Sequence, residues 1–200
     1  MNKLKVVKFS FFDKTYWSGF IKSYENNINP DDADPIDIYI KAIEIGESEL
    51  YLLIKDDEVI GFYLIDVHED FNMLNHIAIN RKHRKNRYAI DLISHLKGIS
   101  LCESKFIVVE VMDFYKKLYT KIGFRELKID FYVPHFGRET IGRYNLMLWN
   151  SHNSDFDNNY KIVKKAIEKI YEISYYIDKN DPIVLKTLAT LNNPPIFLKS

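Results

Sequence analysis

Residues 73–96 limit what this chain can become more than any other stretch. Met73 to Asn80 reads as a strand, with Ile77, Ala78 and Ile79 as a continuous apolar run. Ala89, Leu92, Ile93, Leu96 and Ile99 then recur at i, i+3, i+4, i+7 and i+10, one face of a helix. Between the two lie Arg81, Lys82, Arg84, Lys85 and Arg87. A strand that feeds a basic loop into a helix start makes an anion site. The first-turn N–H groups of a helix are unpaired, and its dipole places about half a positive charge there. The competing reading of the loop is a solvated basic turn.

The flanking segments supply the rest of a mixed sheet. Residues 3–9 read as a first strand, and Asp13 is placed to cap a helix striped by Trp17, Phe20, Ile21 and Tyr24. Residues 26–34 are polar and read as a loop. Asp34-Pro35 then signals a helix start, cap followed by proline, with Ile36, Tyr39, Ile40 and Ile43 as its stripe and Gly46 as its stop. Residues 49–54 and 59–67 are strand-like, joined by a hairpin turn at Lys55-Asp56-Asp57-Glu58, and His68 to Asn72 turn the chain back. Ile107, Val108, Val109 and Val111 read as a strand buried on both faces. Asp113 is placed to cap a helix carrying Tyr115, Leu118, Tyr119 and Ile122, with Gly123 as its stop. Leu127, Ile129, Phe131 and Val133 alternate with polar residues, 134–143 reads as a loop and 144–149 as the last strand. The fold class expected is α/β, in the α+β sense of a mixed sheet.

Residues 151–159 are polar and linker-like. Val163, Ala166, Ile167, Ile170, Ile173 and Ile177 then mark an amphipathic helix of about five turns. Asn180-Asp181-Pro182 starts a second helix with Val184, Leu185, Leu188 and Leu191, ended by Asn193-Pro194-Pro195. The division expected is a domain of residues 1–150 and a C-terminal helical hairpin of 151–200. Its apolar surface is buried on its own domain or against a partner, a homodimer included.

Lys plus Arg and Asp plus Glu each total 28, so the formal net charge is zero and a broad electrostatic grip on nucleic acid is not expected. Cys102 is the sole cysteine, which fits a reducing compartment and reads as a small buried apolar residue. The first eight residues lack the apolar region of a signal peptide, and no run of 18 apolar residues occurs. A membrane span is not expected, and the cytoplasm is the expected location.

In order and spacing, these segments resemble the GCN5-related N-acetyltransferase (GNAT) superfamily over residues 1–150. The family's loop, Arg/Gln-x-x-Gly-x-Gly/Ala, falls on Arg84-Lys85-Asn86-Arg87-Tyr88-Ala89, with Arg87 where the family has glycine. Leu118-Tyr119-Thr120-Lys121-Ile122-Gly123-Phe124 is similar to the family's Leu-Tyr-x-x-x-Gly-Phe, and Val59-Ile60-Gly61 to its Val-Ile-Gly. The resemblance implies a mostly antiparallel sheet splayed at a cofactor site, with acetyl-CoA as co-substrate and no metal. Arg84, Lys85, Asn86, Arg87, Tyr88 and Ala89 would hold its pyrophosphate, and the backbone near Ile77, Ala78 and Ile79 would meet its carbonyls. Tyr119 takes the place of the tyrosine that protonates the departing thiolate. Met112 stands where the family often has asparagine.

For the general base the residues leave several candidates. His76 is on the central strand and titrates near neutral pH; His68, Glu69 and Asp70 precede that strand, and His135 precedes the last one. The function expected is transfer of an acetyl group to a primary amine, on a small molecule or a peptide, within a ternary complex. The alternative is a GNAT-fold module without catalysis that binds acyl-CoA or a protein, consistent with Arg87 and Met112.

Overall fold

The computed structural model describes residues 4–11, 15–30, 33–84, 86–134, 141–150 and 160–198. Asp13, Lys85, His135 and the linker-like 151–159 lie outside them. The architecture is mixed α/β, with mostly antiparallel strands and six α-helices among the described residues. The chain divides into two compact units, Met1–Glu103 and Ser104–Ser200.

The first unit runs β1 (Leu4–Lys8), α1 (Trp17–Asn27), α2 (Ile36–Glu44), β2 (Ser48–Lys55), β3 (Glu58–Val67), β4 (Phe71–Ile79) and α3 (Tyr88–Cys102). Its strands pair antiparallel in chain order. Asp56 and Asp57 make the expected hairpin turn with φ of 50° and 60°, a left-handed pair that follows the twist of the flanking strands. Gly46, at φ 80°, ends α2: Glu47 N–H donates to Ala42 O and Gly46 N–H to Ile43 O, closing the last carbonyls.

Asp34 does not cap α2. Pro35 stands at the cap position instead, and the Asp34 carboxylate accepts from the Tyr39 hydroxyl at 2.6 Å. A side chain already held by a phenol is not free for the helix N–H groups. Cys102 differs too. Helix α3 continues as far as this residue, which leaves it exposed rather than buried.

The two faces of this sheet carry different partners. Phe20 and Tyr24 of α1 and Tyr39 of α2 pack with Leu50, Leu52, Phe62, Leu64 and Ala78. On the other face Leu92, Ile93 and Leu96 of α3 are buried, the Tyr63 hydroxyl meets His95 Nδ1 at 2.9 Å, and Asn72 donates to Ser100 of α3 at 3.1 Å. Strand β4 changes face partway along. Leu64 pairs with His76 and Ile65 with Leu74, so Asn75 is an extra residue, a β-bulge. Side chains alternate with period 2, and one inserted residue flips the alternation. Asn72 and Leu74 therefore face α3, whereas His76 and Ala78 face α1 and α2.

The second unit runs β5 (Phe106–Val111), α4 (Asp113–Lys121), β6 (Arg125–Glu126), β7 (Phe131–Pro134), β8 (Ile141–Trp149), α5 (Tyr160–Lys169) and α6 (Pro182–Leu188). Strand β8 pairs antiparallel with β5, β6 and β7. Part of the loop expected at 134–143 is strand instead, because Tyr132 pairs with Arg143, Val133 with Gly142 and Pro134 with Ile141; residues 135–140 lie outside the described residues. Asp113 is the first residue of α4 rather than its cap, and its carboxylate accepts from Asn145 of β8 at 2.9 Å.

The C-terminal helices bury their apolar face within this unit. Val163, Ala166, Ile167 and Ile170 are buried as the spacing requires. Ile170–Ser174 then winds as a π-turn, which slows the rotation per residue and brings in Tyr171 instead of Ile173. The Tyr171 hydroxyl donates to Tyr132 O at 2.6 Å and lies 2.7 Å from Thr187 Oγ1, while its ring packs 5.3 Å from Phe131. Thr187 is buried and Leu185 exposed, the reverse of what hydropathy suggests, because the buried phenol needs a polar neighbour. Asp181 caps α6 by accepting from Ile183 N–H, with Pro182 at the first helical position. Residues 196–198 return to β6: Leu127 bridges Phe197, and Leu198 N–H donates to Glu126 O.

Candidate functional site

The basic loop leaves β4 through a single turn of 3-10 helix, Arg81–His83, and enters α3. Arg87 stands at the cap position of α3, without a side-chain hydrogen bond to the helix. A 15-residue helix thus opens with first-turn N–H groups that no side chain caps, beside exposed Arg81, Lys82, Arg84, Asn86 and Arg87. Lys82 is paired with Glu58 at 2.5 Å. Tyr88 and Ala89 are half-buried at the helix start, and the Lys55 ammonium lies 6.0 Å from the Tyr88 ring. The donor set suits a pyrophosphate: backbone N–H groups, a helix dipole and guanidinium forks.

Arg84 is built into this loop. Its Nε donates to Ile79 O at 2.9 Å and its Nη2 to Asn27 Oδ1 of α1 at 3.0 Å. Asn27 donates in turn to Asn80 Oδ1 at 2.9 Å, which also accepts from Ser23 at 2.6 Å, while Asn80 Nδ2 donates to Val59 O at 2.9 Å. Asn80 thereby ties the end of β4 to β3 and α1 in a network whose amide groups are all used. Sequence reading missed Ser23, Asn27 and Asn80. Their signal is the polar pair Ser23 and Asn27, four residues apart on an otherwise apolar stripe.

Ile77, Ala78 and Ile79 pair with Tyr63, Phe62 and Gly61 of β3. The approach at Gly61 is close: a Cβ there would lie 2.7 Å from Ala78 O and 2.6 Å from Ile79 Cδ1.

His76 sits among residues that the sequence presented as core. Its Nε2 lies 2.8 Å from the Tyr39 hydroxyl and 3.5 Å from that of Tyr24, and both rings meet the imidazole edge-on. Tyr24 donates to Asp34 O at 3.0 Å. Burial pulls the His76 pKa down to about 4, so the ring is neutral at pH 7. Burial also raises both phenols and the Asp34 carboxyl above their ordinary values; the phenols stay protonated, and Asp34 binds a proton more readily than a solvated carboxylate.

In the second unit Tyr119 is buried in α4, its ring edge-on to Phe124 at 5.2 Å. Gly123, at φ 87°, turns the chain so that Phe124 N–H donates back to Tyr119 O. Burial raises the phenol above its usual value, so it is protonated at any working pH. Tyr115, expected on the same stripe, is exposed, as is Met112. Among the described residues no helix is long and apolar enough to cross a membrane, and no three His, Cys, Asp or Glu side chains cluster as metal ligands.

No protein-family model and no curated protein sequence matches this chain. Solved structures do. It is similar to a protein from Bacteroides thetaiotaomicron assigned to the GNAT family of acetyltransferases: TM-score 0.70, 19% identity, 87% of this chain and 99% of that one. It is also similar to the ribosomal-protein-S18-alanine N-acetyltransferase of Escherichia coli, with TM-score 0.60, 15% identity and 77% and 98% coverage. A GNAT-family acetyltransferase from Elizabethkingia anophelis, solved with acetyl-CoA bound, matches with TM-score 0.54, 15% identity and 74% and 97% coverage. The chain has the fold of the GCN5-related N-acetyltransferases.

Proposed function

We propose that this protein is an acyl-CoA-dependent N-acetyltransferase that moves an acetyl group to a primary amine by direct transfer in a ternary complex. One observation carries the reading. Strand β4 delivers an uncapped helix start ringed by Arg81, Arg84 and Arg87, in a fold whose relative from Elizabethkingia anophelis was solved with acetyl-CoA bound. Acetyl-CoA supplies the acyl group as an activated thioester.

The chain's residues divide the remaining work. The N–H groups of Tyr88 and Ala89, with Arg84, Asn86 and Arg87, hold the pyrophosphate; Lys85 belongs to the same loop motif. The backbone of Ile77 to Ile79 positions the thioester carbonyl. His76, neutral at working pH, accepts the amine's proton. Tyr119, always protonated, gives a proton to the departing sulfur. Residues 1–150 are read as the catalytic body and 151–200 as a C-terminal helical extension.

Titration calorimetry with acetyl-CoA tests the reading, followed by an amine screen for thiol release. Binding in the micromolar range and amine-dependent thiol release are expected. Binding with no thiol release from any amine would move the protein to a non-catalytic acyl-CoA-binding role, consistent with Arg87 in the glycine position. No binding at all would refute both.

A further inference from the structure

Each proton in the His76 cluster can be assigned from the donors. The Tyr24 hydroxyl gives its only proton to Asp34 O, and the Tyr39 hydroxyl gives its only proton to Asp34 Oδ2. At Nε2 of His76 both phenol oxygens are therefore acceptors, so Nε2 carries the hydrogen and Nδ1 carries the lone pair. Among the described residues Nδ1 has no hydrogen-bond partner. The result is a chain of 2.8 Å and 2.6 Å links from an imidazole to a half-buried carboxylate, assembled by β4, α2 and the segment that leads into α2.

We propose that His76, Tyr39 and Asp34 form a proton relay, which takes a proton at Nδ1 of His76 and delivers one to Asp34 through the Tyr39 hydroxyl. This rests on the acetyl-transfer reading and extends it. Before the acceptor attacks, one N–H bond of its ammonium group breaks and an Nδ1–H bond forms, with the electron pair left on the nitrogen for the attack. Nε2–H breaks and its proton passes to the Tyr39 oxygen, whose own proton moves to Asp34 Oδ2. Asp34 ends neutral, Tyr39 is unchanged and His76 is again neutral, in the other tautomer. The imidazole thus never has to hold a charge where burial disfavours one. Once the product has left, solvent takes the Nδ1 proton and the same links run in reverse: Asp34 returns its proton to the Tyr39 oxygen and Tyr39 passes its own to Nε2, so that Asp34 is again a carboxylate and His76 again the Nε2–H tautomer.

The titratable groups facing the relay are Tyr24 on α1, Asp34 and Tyr39 at α2, and Asp66 on β3. Asp66 accepts from Ser48 at 2.6 Å and adds negative charge near Asp34. The class of acceptor follows. A relay is of use to an alkylamine, which is an ammonium ion at neutral pH with a pKa of about 10, and of little use to an arylamine, which is already neutral.

The decisive measurement uses the protein alone, labelled with ¹⁵N-histidine and ¹³C-aspartate. At pH 7 the His76 nitrogens should report the Nε2–H tautomer. As Asp34 takes up its proton on acidification, His76 should switch to Nδ1–H in step with it without becoming imidazolium. Asp34→Asn should abolish the switch while the fold and melting temperature hold. An Nδ1–H tautomer at pH 7, or His76 unchanged while Asp34 titrates, overturns the relay. Because no acceptor is needed, this decides the relay even where the acetyl-transfer reading fails. With an alkylamine found by thiol release, Asp34→Asn and Tyr39→Phe should lower kcat by about 10- to 100-fold at pH 7, part of a general base's usual worth. That loss should shrink as the pH nears the amine's own pKa, with KM for acetyl-CoA unchanged. A loss equal at all pH values would make both residues structural and refute the relay.

Discussion

Arg84 donates from Nε to the carbonyl oxygen of Ile79, five residues earlier, at 2.9 Å. The arginine that the loop pattern assigns to phosphate also fastens the loop to the strand it leaves. With Nη2 on Asn27, two donor positions face the protein and the rest of the fork is left for an anion.

Arg84→Ala should therefore weaken acetyl-CoA binding through a lost charge contact and a loosened loop, about 10- to 100-fold by calorimetry. Arg84→Lys should not restore it, because an ammonium cannot hold Ile79, Asn27 and a phosphate at once. Asn27→Ala should cost less than Arg84→Ala. Equal affinity for wild type and Arg84→Ala would remove Arg84 from the anion site.

Acid should act on stability through His76. Its pKa is about 4 in the folded chain against about 6.5 when free, so between those values the unfolded chain binds the proton and the folded one does not. Stability therefore falls as pH drops from about 6.5 to about 4, by roughly 3 kcal/mol relative to a His76→Gln variant. The difference between the two proteins in urea unfolding, followed over this range, isolates the effect from Asp34, which acts in the opposite sense. A difference independent of pH would show that the folded imidazole is solvated.

Gly61→Ala places a methyl against both the Ile79 side chain and the Ala78 carbonyl oxygen; the side chain can turn aside but the backbone oxygen cannot, so β3 and β4 must separate at Ala78. A loss of about 2–3 kcal/mol is expected in chemical denaturation, with weaker acetyl-CoA binding because Ala78 moves. Unchanged stability would mean that the strands part freely there.

Tyr119→Phe removes a hydroxyl and keeps the ring against Phe124. Melting temperature and acetyl-CoA affinity should hold while kcat drops by about 10²–10⁴-fold, the range of a positioned general acid. Full activity in the variant would leave Tyr119 as a packing residue.

Tyr171→Phe leaves the Tyr132 carbonyl without its donor and Thr187 without its phenol partner, in a buried setting. A loss of about 1–3 kcal/mol is expected from thermal unfolding. No loss would mean that water reaches the gap.

What the sequence made legible is what local chemistry decides. Asp56-Asp57 can adopt a left-handed pair, so the hairpin turn is readable; Gly46 and Gly123 end helices for the same backbone reason. Val163 to Ile170 follow the helical period until the π-turn breaks it. Asp34 and Asp113 look like caps because nothing local reveals that Tyr39 and Asn145 claim them first. The environment of His76 was hidden for a similar reason. Its face depends on a bulge at Asn75, and Tyr24 and Tyr39 look like core residues until their hydroxyls are seen to converge on it.

The pairing of residues 196–198 with Glu126 to Lys128 also sets an order of events during synthesis. The first unit draws every one of its strands from residues before 104, so all of them leave the ribosome before those of the second. Strand β6 has β8 on one edge but must wait for residues 196–198 to emerge from the exit tunnel before they can pair with it. Until then the second unit presents unsatisfied N–H and C=O groups to solvent, the kind of edge that chaperones cover and that neighbouring nascent chains on a polysome can wrongly capture.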